Sequence, residues 1–164
     1  MIVLGIDPGT ATTGYGVVRR DERGPTLLEC GVIRTTSSQA HSVRLREIYD
    51  GVTEVIRRFA PTAVVVEDVF FAKNVRTTVV LGQARGVILL AAEQAGIAVH
   101  EYQPTEIKKA VVGRGAASKE QVQFMVTRLL HLARAPEPAD AADGVAAALA
   151  HVMGGRLESL PAFR

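Results

Sequence analysis

The order in which strand-like and helical patterns follow one another restricts the fold of this chain more than any other feature. Three short runs rich in β-branched and large apolar residues come first, at residues 2–7, 14–18 and 27–33, with turn-rich segments between them. Two further runs, at 63–66 and 98–102, alternate with helical patterns. Successive strands joined by short connections favour antiparallel pairing. The chain therefore predicts an α/β fold, in which a five-stranded mixed sheet carries helices on both faces.

The helical segments show the apolar spacing of amphipathic helices. Apolar residues recur with a period of 3.6 residues over 45–59. Further helices are predicted at about 75–95 and about 139–153. Ser118 begins another helix, because it forms a capping-box sequence with Gln121. The complete predicted order of elements is β-β-β-α-β-α-β-α-α-α.

Length and composition fit a folded globular protein of the cytoplasm. The chain has 164 residues, 48% of them hydrophobic and 22% charged, which predicts one domain over residues 1–155 and a short tail at 156–164. Its one cysteine, Cys30, excludes an internal disulfide framework, and its four histidines lack the spacing of a zinc site. No basic signal-peptide region opens the chain, and no apolar run reaches the ~18 residues of a membrane span. We therefore expect no membrane partner.

Two candidate functional carboxylates end predicted strands. Asp7 ends the first strand, and strand alternation places it on the same face as Val3 and Gly5. Glu67 follows the apolar run 63–66, where a buried carboxylate is costly unless it is paired or binds a metal. Its neighbour Asp68 must point to the opposite face of the sheet, so only one of the two can join a given cluster.

A second pair of carboxylates lies at the start of the last predicted helix. Asp140 and Asp143 are three residues apart and therefore share one helical face. Gly144 and Ala147 continue the same stripe. Such small residues permit a close approach between this helix and another element.

Each acid has an ordinary explanation when it is taken alone. Asp7 suits a turn before Pro8, Glu67 suits a solvated strand end, and acids in a first helical turn interact favourably with the helix dipole. Together they form an oxygen-ligand set without histidine or cysteine, which selects Mg²⁺ or Mn²⁺ rather than zinc. Four carboxylates suit two such ions ~4 Å apart, one activating the attacking water and one stabilising a leaving 3′ oxygen. The set therefore predicts in-line hydrolysis of a phosphodiester.

Basic and aromatic residues near these acids indicate a nucleic-acid surface. One lysine starts the capped helix, and a helix N-terminus suits a phosphate group. Other cations follow two successive phenylalanines, a combination that suits stacking on unpaired bases. Solvated surface charge, and a core position for one phenylalanine, are the alternatives. The predicted contacts from these patterns are Phe70, Lys73, Arg76, Arg114 and Lys119.

The motifs around these residues also carry a family resemblance that covers nearly the whole chain. They are GIDPGT at 5–10, GYGV at 14–17, VEDVFFAKN at 66–74, LGQARG at 81–86, VVGRG at 111–115 and ADAAD at 139–143. In this order they resemble the RuvC family of Holliday-junction resolvases, which have the RNase H-like fold. The first motif occurs in other folds, whereas the middle and closing motifs together are highly specific.

The resemblance implies both a site and an activity. The catalytic, metal-binding acids that it implies are Asp7, Glu67, Asp140 and Asp143. The residues that align with DNA-handling positions of the family are Phe70, Lys108 and Lys119. The implied enzyme is a Mg²⁺-dependent homodimer that nicks two opposing strands of a four-way DNA junction in recombination and repair. It is implied to work beside the RuvA–RuvB branch-migration complex and to dimerise through the predicted helix at about 75–95.

Three other functions share part of these patterns. ATP-binding proteins of the actin, chaperone and sugar-kinase superfamily also open with an Asp-x-Gly-Thr loop, here at 7–10, but this chain has no second such loop and is short for two lobes. The YqgF group of RNase H-like proteins, which acts on RNA, shares the first motif, yet the length and the middle motifs favour the RuvC family. The third alternative is a non-catalytic module that binds junctions, and the presence of all four acids disfavours it.

Overall fold

The structure is a computed structural model that describes residues 1–68 and 74–154. Within these residues, strands and helices follow one another in the predicted order. The strands are β1 Ile2–Asp7, β2 Thr12–Asp21, β3 Gly24–Arg34, β4 Ala63–Glu67 and β5 Ala98–Tyr102. The helices are α1 His41–Phe59, α2 Val75–Gln94, α3 Pro104–Val112, α4 Lys119–Leu129 and α5 Ala139–Val152. Strands β2 and β3 extend beyond their predicted ends, because they pair with each other along a long hairpin.

The five strands form one mixed sheet in the order β3-β2-β1-β4-β5. Strand β2 pairs antiparallel with both β1 and β3, whereas β4 lies parallel to both β1 and β5. The parallel pairs follow from the connections, since α1 precedes β4 and α2 precedes β5. The predicted mixed sheet is therefore confirmed.

Alternating residues of the strands belong to two separate hydrophobic cores, one on each face of the sheet. On one face, Leu4 and Ile6 of β1 pack with the buried sides of α1 and α2. On the other face, Val3 packs with Val65 of β4 and with residues of α3, α4 and α5, such as Val145. Helices thus cover both faces, which confirms the predicted fold class. The alternation expected for β1 is also confirmed.

Helix α5 approaches β1 and β2 so closely that main chain meets main chain. A β-carbon built on Gly5 would lie 2.2 Å from the carbonyl oxygen of Gly144, and one built on Gly14 would lie 1.8 Å from that of Asp140. On the helix side, a β-carbon on Gly144 would lie 2.6 Å from the Cα of Tyr15. The glycines on both elements therefore permit this approach, as the small residues of the last helix predicted. Helix α5 therefore fills the space beside Gly5, next to Asp7.

Nearly every residue of α5 is buried, from Ala141 to Val152, including Gly144 and Ala147 of the stripe that carries the acids. The helix lies between the sheet on one side and helices α3 and α4 on the other, so most of its surface has packing partners. The short side chains of its many alanines permit contacts on all sides. The burial holds the first turn of α5 against the sheet.

We expect Gly5→Ala to lower the free energy of unfolding by about 3 kcal/mol or more, because the added methyl group meets main-chain atoms that cannot rotate away. The matched control is Gly51→Ala in α1, where the three atoms nearest to the new β-carbon belong to the side chain of Ile33 rather than to main chain. The helix preference of alanine over glycine offsets part of this crowding, so we expect a smaller loss, of about 1 kcal/mol. Urea denaturation of both variants measures the difference. Equal effects would contradict the proposed main-chain contact.

Candidate active site

Two of the four predicted acids lie at the same edge of the sheet because β1 and β4 are parallel neighbours. Ile6 pairs with Val66, so Asp7 and Glu67 each stand at the carboxyl end of their strands. Both belong to the face that packs against α3, α4 and α5, which follows from strand alternation. The sheet therefore places two carboxylates side by side under these helices.

The first two turns of α5 add the other two acids, Asp140 and Asp143. One carboxylate oxygen each from Asp7, Asp140 and Asp143 lie within 4.8 Å of one another. This cluster is a direct result of the close main-chain contact between α5 and β1–β2, since a larger residue in place of Gly5 or Gly14 would move the helix away. The structure thus brings together residues that are more than 130 positions apart in the sequence.

Glu67 lies outside this triple but lines the same cleft. Its neighbour Asp68 points to the other face, where it lies 3.4 Å from the guanidinium of Arg85 and accepts a hydrogen bond from Gln103. The prediction that the two adjacent acids point to opposite faces of the sheet is confirmed. Strand alternation directs Glu67 into the cleft and Asp68 away from it.

The cleft beneath the acids has a volume of about 230 Å³. Its sheet side supplies Asp7 and Glu67 and α5 supplies Asp143, whereas α3 and α4 supply the lysines Lys108 and Lys119. Apolar side chains, including Ile107 and Val122, fill the space between the charged groups. The cleft therefore presents acids and cations to the same small volume. Such a layout suits a phosphate group held beside a metal site.

Burial and mutual repulsion make the acids unusually hard to ionise. Burial, followed by the charges of Asp143 and Asp140, raises the pKa of Asp7 to about 7. Burial, followed by the charges of Asp7 and Asp143, raises the pKa of Glu67 to about 8. These carboxylates therefore lack enough positive charge nearby. A crowded set of oxygen donors of this kind fits a divalent cation.

Lys119 partly offsets this repulsion. Its Nζ lies 2.6 Å from an Oδ of Asp143, although about half of the lysine side chain is exposed to solvent. The hydrogen bond to Asp143 raises the pKa of Lys119, which keeps it charged. The capping box between Ser118 and Gln121 is confirmed and starts α4 at this lysine. The sequence placed Lys119 at a helix start, but its ion pair with Asp143 was not predicted.

The other predicted nucleic-acid residues lie in three different situations. Lys108 lines the cleft, where its charge offsets a small part of the rise that burial and Asp7 cause in the pKa of Glu67. Arg76, in the first turn of α2, and Arg114, between α3 and α4, are exposed and do not line it. Phe70 and Lys73 lie outside the described residues.

The bounds of α3, which carries Lys108, were not identified from the sequence. A capping box between Gln103 and Glu106 begins this helix, with Pro104 at its first position. Gly113, with a φ of +90°, ends it. These signals are legible in the residues 103–113 and could have located the helix.

Comparison with known proteins gives one consistent result. The profile of the family described as "Crossover junction endodeoxyribonuclease RuvC" matches residues 3–151. The RuvC protein of Natranaerobius thermophilus is 45% identical over 159 residues, covering 97% of this chain and 99% of the relative. That of Chloroflexus aggregans is 50% identical over 151 residues, covering 92% of each chain.

Solved structures agree with these relatives. Thermus thermophilus RuvC has a TM-score of 0.89 and 38% identity, over 97% of this chain and 98% of that one. The same protein in complex with a Holliday junction substrate has a TM-score of 0.87 and 36% identity, with the same coverage. The yeast mitochondrial Holliday junction resolvase Ydc2, at 14% identity and a TM-score of 0.67 over 92% of this chain and 78% of that one, shares the fold. The resemblance found in the sequence is confirmed: this chain belongs to the RuvC family of crossover junction endodeoxyribonucleases.

Proposed function

We propose that this protein is an endonuclease that resolves four-way DNA junctions by hydrolysing one phosphodiester bond in each of two opposing strands. The observation that carries the proposal is the cleft in which Asp7, Glu67 and Asp143 face Lys108 and Lys119. Family membership over nearly the whole chain supports the same activity. We place the reaction in homologous recombination and DNA repair.

The residues that we propose to hold the metal are Asp7, Glu67, Asp140 and Asp143. Their all-oxygen donor set, their proximity and the raised pKa of Asp7 favour Mg²⁺, with Mn²⁺ as a substitute. We infer two ions per site from the number of carboxylates. When bound, the metal supplies Lewis-acid activation of water and stabilises charge on the leaving oxygen.

The lysines of the cleft have a separate role towards the substrate. Lys108 and Lys119 enter from α3 and α4, opposite the sheet edge that carries the acids. We propose that they contact the scissile phosphate and so orient it towards the carboxylate cluster. Neutralising Asp143 by metal would release the Nζ of Lys119 for this contact. The apolar walls of the cleft strengthen these charge interactions by excluding water.

We propose that the DNA path extends beyond the cleft. Arg76, at the start of α2, and Arg114, between α3 and α4, are exposed and suit contacts with the sugar-phosphate backbone. Phe70 and Lys73 belong to the segment 69–73, for which stacking and phosphate contact at the junction centre remain our predictions. These residues would recognise the shape of the junction, whereas the acids perform hydrolysis.

We further propose that two copies associate through α2. Exposed apolar and small residues follow one side of this helix at helical spacing, namely Val75, Val79, Gly82, Gly86 and Leu90. The two glycines have open space beside them, which would allow a second helix to approach closely. A homodimer of this kind supplies two cleavage sites for the two opposing strands. We also propose that the RuvA–RuvB complex is a partner.

Helix α2 is long and apolar enough to cross a membrane by length and composition alone. Its other side packs onto the sheet through Ala84, Ile88 and Ala92, and Arg85 joins an ion-pair network there. We therefore assign the exposed side to a second copy and propose a cytoplasmic location.

Asp7→Asn tests the catalytic proposal, because it removes one charge from the cluster while keeping the shape of the side chain. We expect Mg²⁺-dependent nicking of a mobile four-way junction to be abolished and junction binding to be retained. The control is Asp50→Asn, which changes an exposed acid of α1 and should leave both properties unchanged. Gel analysis of end-labelled junctions measures nicking, and electrophoretic mobility shift measures binding.

The same assay separates the alternative functions. A linear duplex and a structured RNA are the comparison substrates, and we expect the wild type to prefer the junction over both. Undiminished nicking by Asp7→Asn would contradict the assignment of the site. Preferential cleavage of the RNA would favour a YqgF-like activity instead.

Thermal unfolding tests whether the acids bind a divalent cation. The raised pKa of Asp7 means that its contribution to stability is present at low pH and is lost as the pH rises through about 7. At pH 8 without metal, we therefore expect Asp7→Asn to raise Tm. Mg²⁺ or Mn²⁺ should raise the Tm of the wild type and have a smaller effect on the variant. Identical metal responses in both proteins would place the cation elsewhere.

Lys119→Gln tests the phosphate contact. In an Asp7→Asn background with Mg²⁺, where the junction stays intact, we expect weaker binding and a salt dependence reduced by about one phosphate contact. The control is Lys109→Gln, which changes an exposed lysine of α3 that does not line the cleft. An unchanged salt slope for Lys119→Gln would place this lysine off the DNA path.

A further inference from the structure

Arg85 belongs to the LGQARG motif of α2, and the proposed function gives it no role. Its side chain is only 23% exposed and lies on the face of the sheet opposite the cleft. There it lies 3.4 Å from Asp68 and forms a second ion pair with Glu101. One arginine thus joins a helix to two neighbouring strands.

The partners of Arg85 extend this connection to α3. Asp68 accepts a hydrogen bond from the side chain of Gln103, the residue that caps α3. The main-chain N–H of Asp68 also donates to the carbonyl oxygen of Tyr102 at 2.8 Å. The ends of β4 and β5 and the start of α3 are therefore joined at one point, which we call the Arg85 network: Asp68, Arg85, Glu101 and Gln103.

The charged residues of this network are not the most stabilising choice for joining α2 to the sheet. The Nε of Arg85 is buried and has no hydrogen-bond partner among the described residues, which costs free energy. Half-buried charges also lose hydration that their pairing only partly restores. An apolar contact at this position would hold α2 to the sheet without these costs. A single guanidinium nitrogen, Nη2, instead lies between the carboxylates of Asp68 and Glu101, so one charged group orients both of them.

Two residues that line the cleft, Glu67 and Lys108, are connected through the main chain to members of the Arg85 network. Glu67 directly precedes Asp68 and points to the opposite face, so fixing Asp68 also fixes the orientation of Glu67. Lys108 lies on α3, whose first residues are tied to Asp68 through Gln103. Glu67 and Lys108 therefore depend on one anchoring point, although neither touches Arg85.

We propose that Arg85 is a positioning residue, which anchors the end of β4 and the start of α3 so that Glu67 and Lys108 are held in place on the two sides of the cleft. This inference rests on the proposed function. A displacement of the reacting groups by about 1 Å lowers rates by up to ~100-fold, so loss of the anchor has a measurable effect.

Arg85→Lys, Arg85→Gln and Asp68→Asn test the proposal. Arg85→Lys keeps the charge but replaces the planar guanidinium, whose Nη2 reaches both carboxylates, with an ammonium on a shorter side chain. We expect each variant to lower the single-turnover nicking rate by roughly 10- to 100-fold while the junction Kd stays within about twofold. The Mg²⁺ concentration that gives half of the thermal stabilisation should rise, because Glu67 is displaced. The double variant Asp68→Asn/Arg85→Gln should be no slower than Arg85→Gln, since both changes break one network.

Arg57→Gln is the matched control, because it removes an exposed ion pair with Glu54 at 2.9 Å and should change neither the rate nor the metal midpoint. Wild-type rates and an unchanged Mg²⁺ midpoint in the Arg85 variants would overturn the inference. If the wild type does not nick junctions, the proposed function fails, and the Mg²⁺ midpoint still decides the role of Arg85. If Arg85→Gln does not fold, Asp68→Asn decides, because Arg85 then keeps its ion pair with Glu101.

Discussion

The contact between the main chain of α5 and the main chains of β1 and β2 is the interaction on which the rest of the site depends. Gly5 and Gly14 on the sheet, and Gly144 on the helix, leave no side chain between the two layers. The first turn of α5 consequently lies beside the end of β1, and three carboxylates converge within 4.8 Å. Packing, rather than any attraction between the acids, creates the cluster.

Because packing creates the cluster, a stable fold can hold carboxylates that repel one another. The apolar residues on the two faces of the sheet supply the favourable free energy of folding, and the carboxylates are carried into a buried position against their own preference. The pKa values of Asp7 and Glu67 are raised because burial and the neighbouring acids make their charged forms unfavourable. Lys119 relieves this repulsion only in part, since its ion pair is with Asp143 and the pKa values of Asp7 and Glu67 stay raised. Sites that do chemistry commonly retain such locally unfavourable arrangements.

Local patterns in the sequence predicted most of the fold and part of the site. Strand alternation correctly predicted the face of Asp7 and the divergence of Glu67 from Asp68, and small residues predicted the approach of α5. Periodicity contains no information about which distant side chains meet, so the ion pair of Lys119 with Asp143 and the Arg85 network were not foreseen. The start of α3 was missed for a different reason, because its capping signals at Gln103 and Glu106 were present but not used.

The main-chain contact also limits how such a site can change. Where two polypeptide backbones touch, their separation is set by the van der Waals radii of main-chain atoms, and no residue smaller than glycine exists to shorten it. Any residue larger than glycine adds at least a methyl group and therefore increases the separation of the backbones abruptly. The backbones that carry Asp7 and the pair Asp140 and Asp143 therefore cannot move closer together. The strand end of Glu67 is held by side-chain contacts instead, which substitution can alter gradually, so adaptation to an ion of another radius is easier at this acid.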